Sequence, residues 1–361
     1  MPVIAGLLVV AVVVGAIVRN DDDAGTPRAA AGGPSVPVEE QPVLLVHTGA
    51  TGNDLLAVAD RDGRQGSILM VPVATQLDVP SQGTSVLQDI PALDGGKLLT
   101  NSVENEIGVR IGRTVLLDDA ALTAALGPAA PIPVTLNDAV GFSDRSAKYR
   151  AGAQDLSAAQ ASELMSAPQS VNELDRLVVV AAVMDGWMDR LRDPAVAKAT
   201  LQQQPGLAPL VAAANAPERR LDTVPVASIA TGGGEKFDIR GADLATIVRR
   251  AFPHAQLGER GRRPRVEILN GTGALGVAQA TATKVVPAGG RIVNSDNLPR
   301  FGLQQTQVVY YNDRWRAAAQ RILDAMGCGS LRKAGQDVRI ADVTILVGSD
   351  CPAYGAPGGR T

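Results

Sequence analysis

Short apolar runs alternate with longer segments of helical periodicity through the central part of the chain. The runs that predict buried strands are residues 43–47, 55–59, 68–73, 114–117 and 132–136. Between them, apolar residues recur at spacings of three and four, which is typical of helices that pack on a sheet. The alternation predicts a layered α/β domain over residues 43–257.

Capping residues mark two helix starts in this domain. Ser157 followed by Gln160 is a capping-box pattern, and Asn172 can cap a long helix. The apolar positions of the long helix are Leu174, Leu177, Val178, Ala181, Met184, Trp187, Met188 and Leu191. We interpret this stripe as core packing, and Met184 and Trp187 as core residues rather than the wall of a ligand site.

The amino end carries an uncharged apolar run. Residues 3–18 form 16 consecutive positions without a charge, close to the roughly 17 needed to cross a bilayer core. We predict a transmembrane anchor over residues 1–18 and a disordered linker, rich in Pro, Gly and Ala, over residues 19–42. A cleaved signal peptide is the alternative, with small residues at 29–31. Arg19 follows the run and no basic residue precedes it, which by the positive-inside rule favours the opposite orientation to the one we adopt.

A basic break at residues 258–264 separates a smaller carboxyl-terminal region. We interpret the break as a linker, residues 265–351 as a second α/β domain and residues 352–361 as a disordered tail. The predicted order is strand, helix, strand, strand, helix, strand, with helices over residues 277–286 and 313–326. The sheet-facing positions of the second helix are Ala319, Ile322, Leu323 and Met326.

The first turn of this region has the glycine spacing of a dinucleotide-binding loop. Gly271, Gly273 and Gly276 satisfy the pattern, and Asp296 follows about twenty residues on. NAD binding is therefore an alternative. Against it, too few residues remain for a full pair of nucleotide-binding halves, and Asn270 with Gly271 is a simple turn former.

The amino-acid composition excludes several classes of binding site. The 361 residues include two His, two Cys, two Trp, four Tyr and four Phe, and carry a net charge of -3. We expect no nucleic-acid partner, because there is no general positive charge and few aromatic rings are available for stacking on bases. Two His and two Cys cannot build a multi-His or four-thiolate metal site.

The two cysteines and a group of arginines are candidates for specific roles. Cys328 and Cys351 lie in the same small region, which favours a disulfide outside the cytoplasm; two unpaired buried thiols are the alternative. The basic group of the break consists of Arg260, Arg262, Arg263 and Arg265. It is interpreted as a solvated linker, with binding of an anionic wall polymer or lipid headgroup as the alternative. Neither His47 nor His254 has a Ser or Cys context that suggests a catalytic triad.

The middle region resembles the LytR-CpsA-Psr family. The resemblance lies in residues 100–119 (TNSVENEIGVRIGRTVLLDD), in residues 121–136 and in residues 151–161 (AGAQDLSAAQA). Members of this family are anchored by one amino-terminal span, face the outside, and transfer glycopolymers from polyprenyl-pyrophosphate carriers to the cell wall. The chemistry requires Arg side chains that clamp pyrophosphate and carboxylates that hold a divalent cation.

The family's active-site motifs are mostly absent from this sequence. Its Arg-Ser-Asp pattern corresponds to residues 52–54 (GND), which keep Asp54 and lose the Arg; its Pro-Arg-Asp-Thr motif corresponds to residues 72–75 (PVAT). Its Arg-x-Arg element corresponds to residues 165–168 (MSAP), and only Arg176 lies where a later family Arg is expected. Asp54 and Arg176 are thus weak catalytic candidates, with surface or capping roles as the alternative. The resemblance implies a degenerate copy of the domain, without a cofactor unless residual magnesium-dependent catalysis persists.

The carboxyl-terminal region resembles the small LytR carboxyl-terminal domain. The resemblance lies in residues 266–276 (VEILNGTGALG), 308–313 (VVYYND) and 342–350 (DVTILVGSD). Such a domain often follows the catalytic one, which implies an accessory role at the cell wall.

Together these observations predict a single-pass plasma-membrane protein whose bulk is extracytoplasmic, in an actinobacterium according to its Ala, Gly, Val and Arg bias. We expect it to bind glycopolymer, polyprenyl-phosphate lipid or wall components, or to modulate active relatives, without catalysis. The alternative is an active phosphotransferase with an altered clamp.

Overall fold

The computed structural model describes residues 41–79, 82–142, 145–169, 171–229, 234–259, 261–335 and 341–351. The predicted anchor, nearly all of the predicted linker 19–42 and the tail 352–361 lie outside these residues. Within the described part of the chain, no helix is both long enough and apolar enough to cross a membrane.

The structure alternates strands and helices as the pattern predicts. The strands β1 to β18 are Val43–Gly49, Gly52–Asp62, Gln65–Met70, Gln76–Val79, Gly83–Val86, Arg113–Leu117, Ile132–Leu136, Val140–Phe142, Arg145–Tyr149, Gly152–Leu156, Glu218–Thr223, Val226–Ser228, Phe237–Ile239, Arg265–Asn270, Arg291–Asn297, Gln307–Tyr310, Ser330–Lys333 and Val343–Val347. The helices α1 to α9 are Leu93–Ile107, Asp119–Leu126, Ala158–Ser166, Glu173–Arg190, Pro194–Gln203, Ala208–Ala214, Gly241–Ala251, Val277–Val285 and Arg316–Met326.

A five-stranded sheet in the order β11-β3-β2-β1-β6 organises the middle region. Strand β1 pairs antiparallel with β2 and parallel with β6. Residues 43–46 of β1 are fully buried because each face of the sheet is covered by its own hydrophobic core, one built with α2 to α6 and the other with α1 and α7. The α/β layering predicted from the sequence is confirmed, and each of the five predicted strands is present.

The capping predictions are also confirmed. Ser157 and Gln160 form a reciprocal capping box at the start of α3, and the Asn172 side chain accepts a hydrogen bond from Asp175 N at the start of α4. Trp187 is fully buried in the core. One part of the apolar stripe was predicted wrongly: Leu174 and Val178 are 39% and 54% exposed, because only one side of the first turns of α4 faces the sheet.

The carboxyl-terminal region forms a second five-stranded sheet in the order β15-β14-β18-β16-β17. Strand β16 runs antiparallel to β18, and the other neighbours run parallel. The predicted six-element order omitted β17, a short strand after α9 that completes the edge. The four predicted sheet-facing residues of α9 all contact this core. Cys328 and Cys351 form the predicted disulfide, with 5.3 Å between their Cα atoms.

The two sheets are joined by buried polar contacts around the end of α1. The Asn105 side chain donates to Ile292 O at 2.9 Å and accepts from Ile292 N at 2.7 Å, so it pairs with strand β15 as another strand would. Arg291 of the same strand forms an ion pair with Glu106 at 2.9 Å. These contacts explain why α1 buries the polar residue Asn105.

Candidate functional site

A buried His-Asp pair lies where strands β1 and β2 meet. His47 is opposite Leu55 and Thr48 is opposite Asn53, so Asp54 is the extra residue of a β-bulge. A bulge redirects a side chain, and the Asp54 carboxylate hydrogen-bonds the fully buried His47 through Nδ1 at 2.5 Å. The other ring nitrogen, Nε2, is 3.2 Å from Asp119 Oδ1 but has no partner in hydrogen-bond geometry.

Arg176 is the second candidate from the sequence, and its guanidinium donates hydrogen bonds to acceptors within the protein. Nε donates to Glu173 Oε2 at 2.7 Å and Nη2 donates to Glu173 Oε1 at 3.1 Å, which makes a bidentate pair. Nη1 donates to Met165 O at 3.0 Å and Nη2 also donates to Asp54 O at 2.7 Å. The side chains of Arg176 and Glu173 are only 7% and 10% exposed. Four of the five N–H groups of this arginine therefore have protein acceptors.

All four motif positions of the LytR-CpsA-Psr resemblance meet at this arginine. Asp54 O and Met165 O accept its hydrogen bonds, and Val73 N donates to Glu173 Oε1 at 3.0 Å. The sequence places these positions far apart, and the fold brings them to one end of the first sheet. The matched positions contribute main-chain atoms to this cluster, namely Asp54 O, Val73 N and Met165 O, and the carboxylate that pairs with Arg176 comes from Glu173 of the same helix.

The electrostatics of the cluster oppose an incoming polyphosphate. Glu173 pairs with the Arg176 guanidinium, and Glu235 Oε2 accepts from Glu173 N at 2.8 Å. Asp54 and Asp119 lie 2.5 Å and 3.2 Å from the two ring nitrogens of the neighbouring His47. Burial raises the pKa of the Asp54 carboxyl, against the lowering effect of its hydrogen bond to His47. Carboxylates outnumber the cation, so the local field disfavours an anion.

The family resemblance implies a divalent cation, and the donor set here does not fit one. Among the described residues, no group of three or more His, Cys, Asp or Glu side chains is placed to hold a metal ion. Ala74 stands where the family's Pro-Arg-Asp-Thr motif has its aspartate, so that possible ligand is missing. The Asp54 carboxylate is already hydrogen-bonded to His47.

Sequence reasoning missed His47 and Glu173. His47 was set aside because no Ser or Cys lies near it in sequence, and its pairing with Asp54 arises from a bulge that the pattern does not reveal. Glu173 had a detectable signal: it is three residues before Arg176 on a predicted helix, a spacing at which opposite charges meet.

The glycine-rich turn of the second domain is filled by its own side chains. Asn270 Oδ1 accepts from Thr272 N and Gly273 N, the amides that a phosphate would use. A Cβ at Gly273 would lie 3.0 Å from the Phe301 ring, so the glycine makes room for an aromatic side chain. Phe301 and Asn270 thus explain this glycine pattern without a dinucleotide.

The basic group of the predicted linker divides into separate roles. Arg263 is only partly exposed and donates to Asn105 O at 2.7 Å and to Gly290 O, so it holds the two domains together. Arg265 forms an ion pair with Asp342 at 3.2 Å. Arg262 is exposed, and Arg260 lies outside the described residues. The interpretation as a wholly solvated linker is wrong for Arg263.

Glu104 is a buried acid that the site does not use. Its Oε1 accepts from Ile111 N at 2.7 Å, and burial raises its pKa to about 7. The folded state therefore holds a proton that the unfolded state has lost, and its stabilising effect disappears as the pH rises from about 4.5 to about 7.

We expect Glu104→Gln to remove this contribution to the pH dependence. The unfolding free energy of the variant, relative to the wild type, should increase with pH by up to about 1.4 kcal/mol per unit between about pH 5 and pH 7. Urea unfolding across that range measures it. Burial also raises the pKa of Asp60, to about 6. The unfolding free energies of both the wild type and the variant therefore still fall with pH on account of Asp60, and this contribution cancels in their difference. A constant difference between variant and wild type would contradict the assignment.

The comparisons with known proteins agree with this architecture. Residues 263–350 match the family described as LytR cell envelope-related transcriptional attenuator, so this part of the chain is a LytR carboxyl-terminal domain. The structure is similar to that of TagT bound to LIIa-WTA, with a TM-score of 0.50 and 14% identity over 62% of this chain and 94% of that one. The chain is therefore LytR-CpsA-Psr-like in fold and carries a LytR carboxyl-terminal domain, as the sequence resemblance indicated.

Further solved structures give lower scores. The LytR-Csp2A-Psr enzyme from Actinomyces oris has 14% identity over 60% of this chain and 91% of that one, with a TM-score of 0.47. TagV from B. subtilis has 12% identity over 60% of this chain and 98% of that one, also with a TM-score of 0.47. No curated protein matches the sequence.

Proposed function

We propose that this chain is a single-pass, extracytoplasmic protein of the cell envelope that binds glycopolymer or wall components, or modulates active LytR-CpsA-Psr enzymes, without transferring phosphate. The observation that carries the proposal is that Arg176 donates its hydrogen bonds to the Glu173 carboxylate, Met165 O and Asp54 O. A guanidinium with these acceptors has one N–H left for a phosphate. Removal of even one transition-state donor commonly costs a factor of about 100 to 1,000 in rate.

The binding part of the proposal rests on the shared fold. TagT, whose fold is similar, has been solved bound to LIIa-WTA, and we propose that this chain binds an envelope glycopolymer. The LytR carboxyl-terminal domain supports a location at the envelope, since the family description names it. The apolar run at residues 3–18 would attach the chain to the membrane.

Phosphate transfer through an altered site is the second candidate. The observation in its favour is the bond between His47 and Asp54, because a carboxylate-bound imidazole is a common general base. In this alternative the Asp54 carboxyl orients the ring, and Nε2 would take a proton.

A turnover assay separates the two candidates. The full-length chain in detergent is incubated with a polyprenyl-pyrophosphate-linked saccharide, magnesium and peptidoglycan fragments, and the LytR-Csp2A-Psr enzyme from Actinomyces oris is assayed beside it. We expect product and released phosphate at the level of the blank. Magnesium-dependent turnover that is lost in Asp54→Asn and retained in Arg64→Gln, a change at an exposed ion pair, would establish the second candidate.

A sedimentation assay tests binding. The full-length chain is mixed with purified cell walls that either retain their glycopolymer or have been stripped of it by acid. We expect co-sedimentation with the intact walls only. Equal recovery with both preparations would refute recognition of the polymer.

A further inference from the structure

Three arginines line a cavity of about 330 Å³ that we call the linker cavity. Its walls are the end of α1, one side of α7, the segment that links the two domains and the start of β15. The volume lies within the range of roughly 300–1,000 Å³ that is usual for small-molecule sites. The described residues that line it include none of the Arg176 cluster, so it is a separate place in the fold.

The three guanidinium groups of the linker cavity share one carboxylate. Arg291 forms an ion pair with Glu106 at 2.9 Å, and the charge of Glu106 is also the one that raises the pKa of Arg263 most. Arg249 donates to Thr246 Oγ1 at 3.1 Å and has no carboxylate partner among the described residues. With three cations against one carboxylate, the lining is net positive and favours an anion. The Arg176 cluster has the opposite balance.

The charge of Arg263 is not balanced by an acceptor of its own. Its Nη1 donates to Asn105 O at 2.7 Å and its Nη2 donates to Gly290 O, which are uncharged carbonyl groups. Burial lowers the pKa of this guanidinium to about 10, so it remains charged at neutral pH in surroundings that disfavour a charge. Proteins usually balance such a group with an opposite charge. An anion in the linker cavity would provide one.

Arg249 and Arg291 have donors left for such an anion. Each guanidinium carries five N–H groups. Among the described residues, Arg249 uses one of them for Thr246 and Arg291 uses one for Glu106. The Arg291 side chain is 45% exposed and that of Glu106 is 6% exposed, so the cation rather than the acid is accessible to a ligand. The planar fork of a guanidinium matches the oxygen atoms of a phosphate.

We propose that the linker cavity binds a phosphate group of a phosphodiester-linked envelope polymer. The inference rests on the proposed function, because it names the chemical group by which such a polymer is recognised. Arg249 and Arg291 would donate hydrogen bonds to the phosphate oxygens, and the phosphate would balance the charge of Arg263. A phosphate in this position contacts both domains, since Arg249 belongs to the first and Arg291 to the second.

Calorimetric titration of the full-length chain in detergent tests the site with four probes. They are an oligomer of about ten glycerol phosphate units joined by phosphodiester bonds, inorganic phosphate, glycerol and the short-chain lipid dihexanoyl phosphatidylglycerol. We expect saturable binding of the oligomer and none of glycerol. Inorganic phosphate and the lipid should bind about tenfold more weakly than the oligomer, because the repeated phosphates of one chain raise their effective concentration at the site.

Two neighbouring arginines of α7 provide a variant and its matched control. Arg249→Gln should weaken binding of the oligomer about tenfold, because it removes charge-assisted hydrogen bonds to the phosphate. Arg250→Gln removes the same charge from the next position, where the side chain is exposed and pairs with Asp222 outside the cavity lining. It should leave the affinity unchanged.

A third variant fills the cavity without a change in charge. Ala245 is exposed on α7, lines the cavity and lies four residues before Arg249, hence on the same side of the helix. Ala245→Phe should abolish binding of the oligomer while the melting temperature stays within the range of the other variants.

Four results would overturn the proposal. They are absence of saturable oligomer binding by the wild type, equal affinities of Arg249→Gln and Arg250→Gln, undiminished binding by Ala245→Phe, and saturable binding of glycerol. Lipid or inorganic phosphate binding as tight as that of the oligomer would overturn the polymer as the source of the phosphate.

The outcome is distinguishable from the outcome of the proposed function. If the wild type sediments with intact cell walls but its binding of the oligomer does not depend on Arg249, the cavity assignment is wrong and polymer binding by the chain stands. If the wild type binds neither walls nor the oligomer, the proposed function fails together with the site.

Discussion

Arg176→Ala should lower the free energy of unfolding by about 3–5 kcal/mol. The substitution leaves the Glu173 carboxylate, which is 10% exposed, without its bidentate partner. It also removes the donors to Met165 O and Asp54 O, which connect α3 and β2 to α4. A buried charge without a partner is among the few changes that cost this much. Chemical denaturation of the full-length chain measures the loss, in a Trp315→Phe background so that the tryptophan fluorescence comes from Trp187 in the middle-domain core.

Two further variants show the source of the effect. Arg64→Ala removes one partner of an exposed ion pair with Glu218 and should cost less than about 1 kcal/mol. The double variant Glu173→Gln/Arg176→Met removes both buried charges and should recover part of the stability that Arg176→Ala loses. A residue kept for catalysis commonly costs stability, so a loss below 1 kcal/mol in Arg176→Ala would contradict a structural role.

Removal of the disulfide should destabilise the second domain by about 3 kcal/mol. Cys328 and Cys351 are separated by 23 positions, and their bond joins the loop after α9 to the segment that follows β18. In the chain-entropy model, a closed loop of this length restricts the unfolded chain by about that amount. The measurement is the denaturation midpoint of the wild type with and without reductant, beside the double variant Cys328→Ala/Cys351→Ala.

The expected pattern has two parts. Reductant should lower the midpoint of the second-domain transition in the wild type to that of the double variant, and it should leave the double variant unchanged. Because the two domains have separate cores, the middle-domain transition should move less. A wild-type midpoint insensitive to complete reduction would contradict a stabilising bridge.

The parts of the fold that the sequence predicts are those set by local chemistry. Residues 43–46 are a continuous apolar run, followed by His47 in the same strand. Such runs occur in strands that are covered on both faces. Ser157, Gln160 and Asn172 satisfy the free amides at helix starts, a requirement that depends only on their neighbours. These elements could be placed without knowledge of the tertiary structure.

The candidate site depended on tertiary structure. Asp54 meets His47 through a bulge, and Asn105 pairs with a strand that lies 187 positions further along the chain. Leu174 satisfies the apolar periodicity of α4, yet it is 39% exposed because none of the described elements covers that side of the helix. Periodicity identifies the apolar stripe of a helix, whereas its neighbours decide how much of the stripe is buried.

The central claim is that Arg176 is not available to a pyrophosphate, because its N–H groups already donate to protein acceptors, and this can be measured at the Arg176 side chain itself. The full-length chain, labelled with nitrogen-15, is observed at the Arg176 Nε–H signal, assigned by its loss in Arg176→Lys, while magnesium and inorganic pyrophosphate are added. We predict a signal that exchanges slowly with water and keeps its position, because this group already donates to Glu173. A saturable shift of the Arg176 signal would show that the guanidinium is free to bind phosphate and would contradict the account.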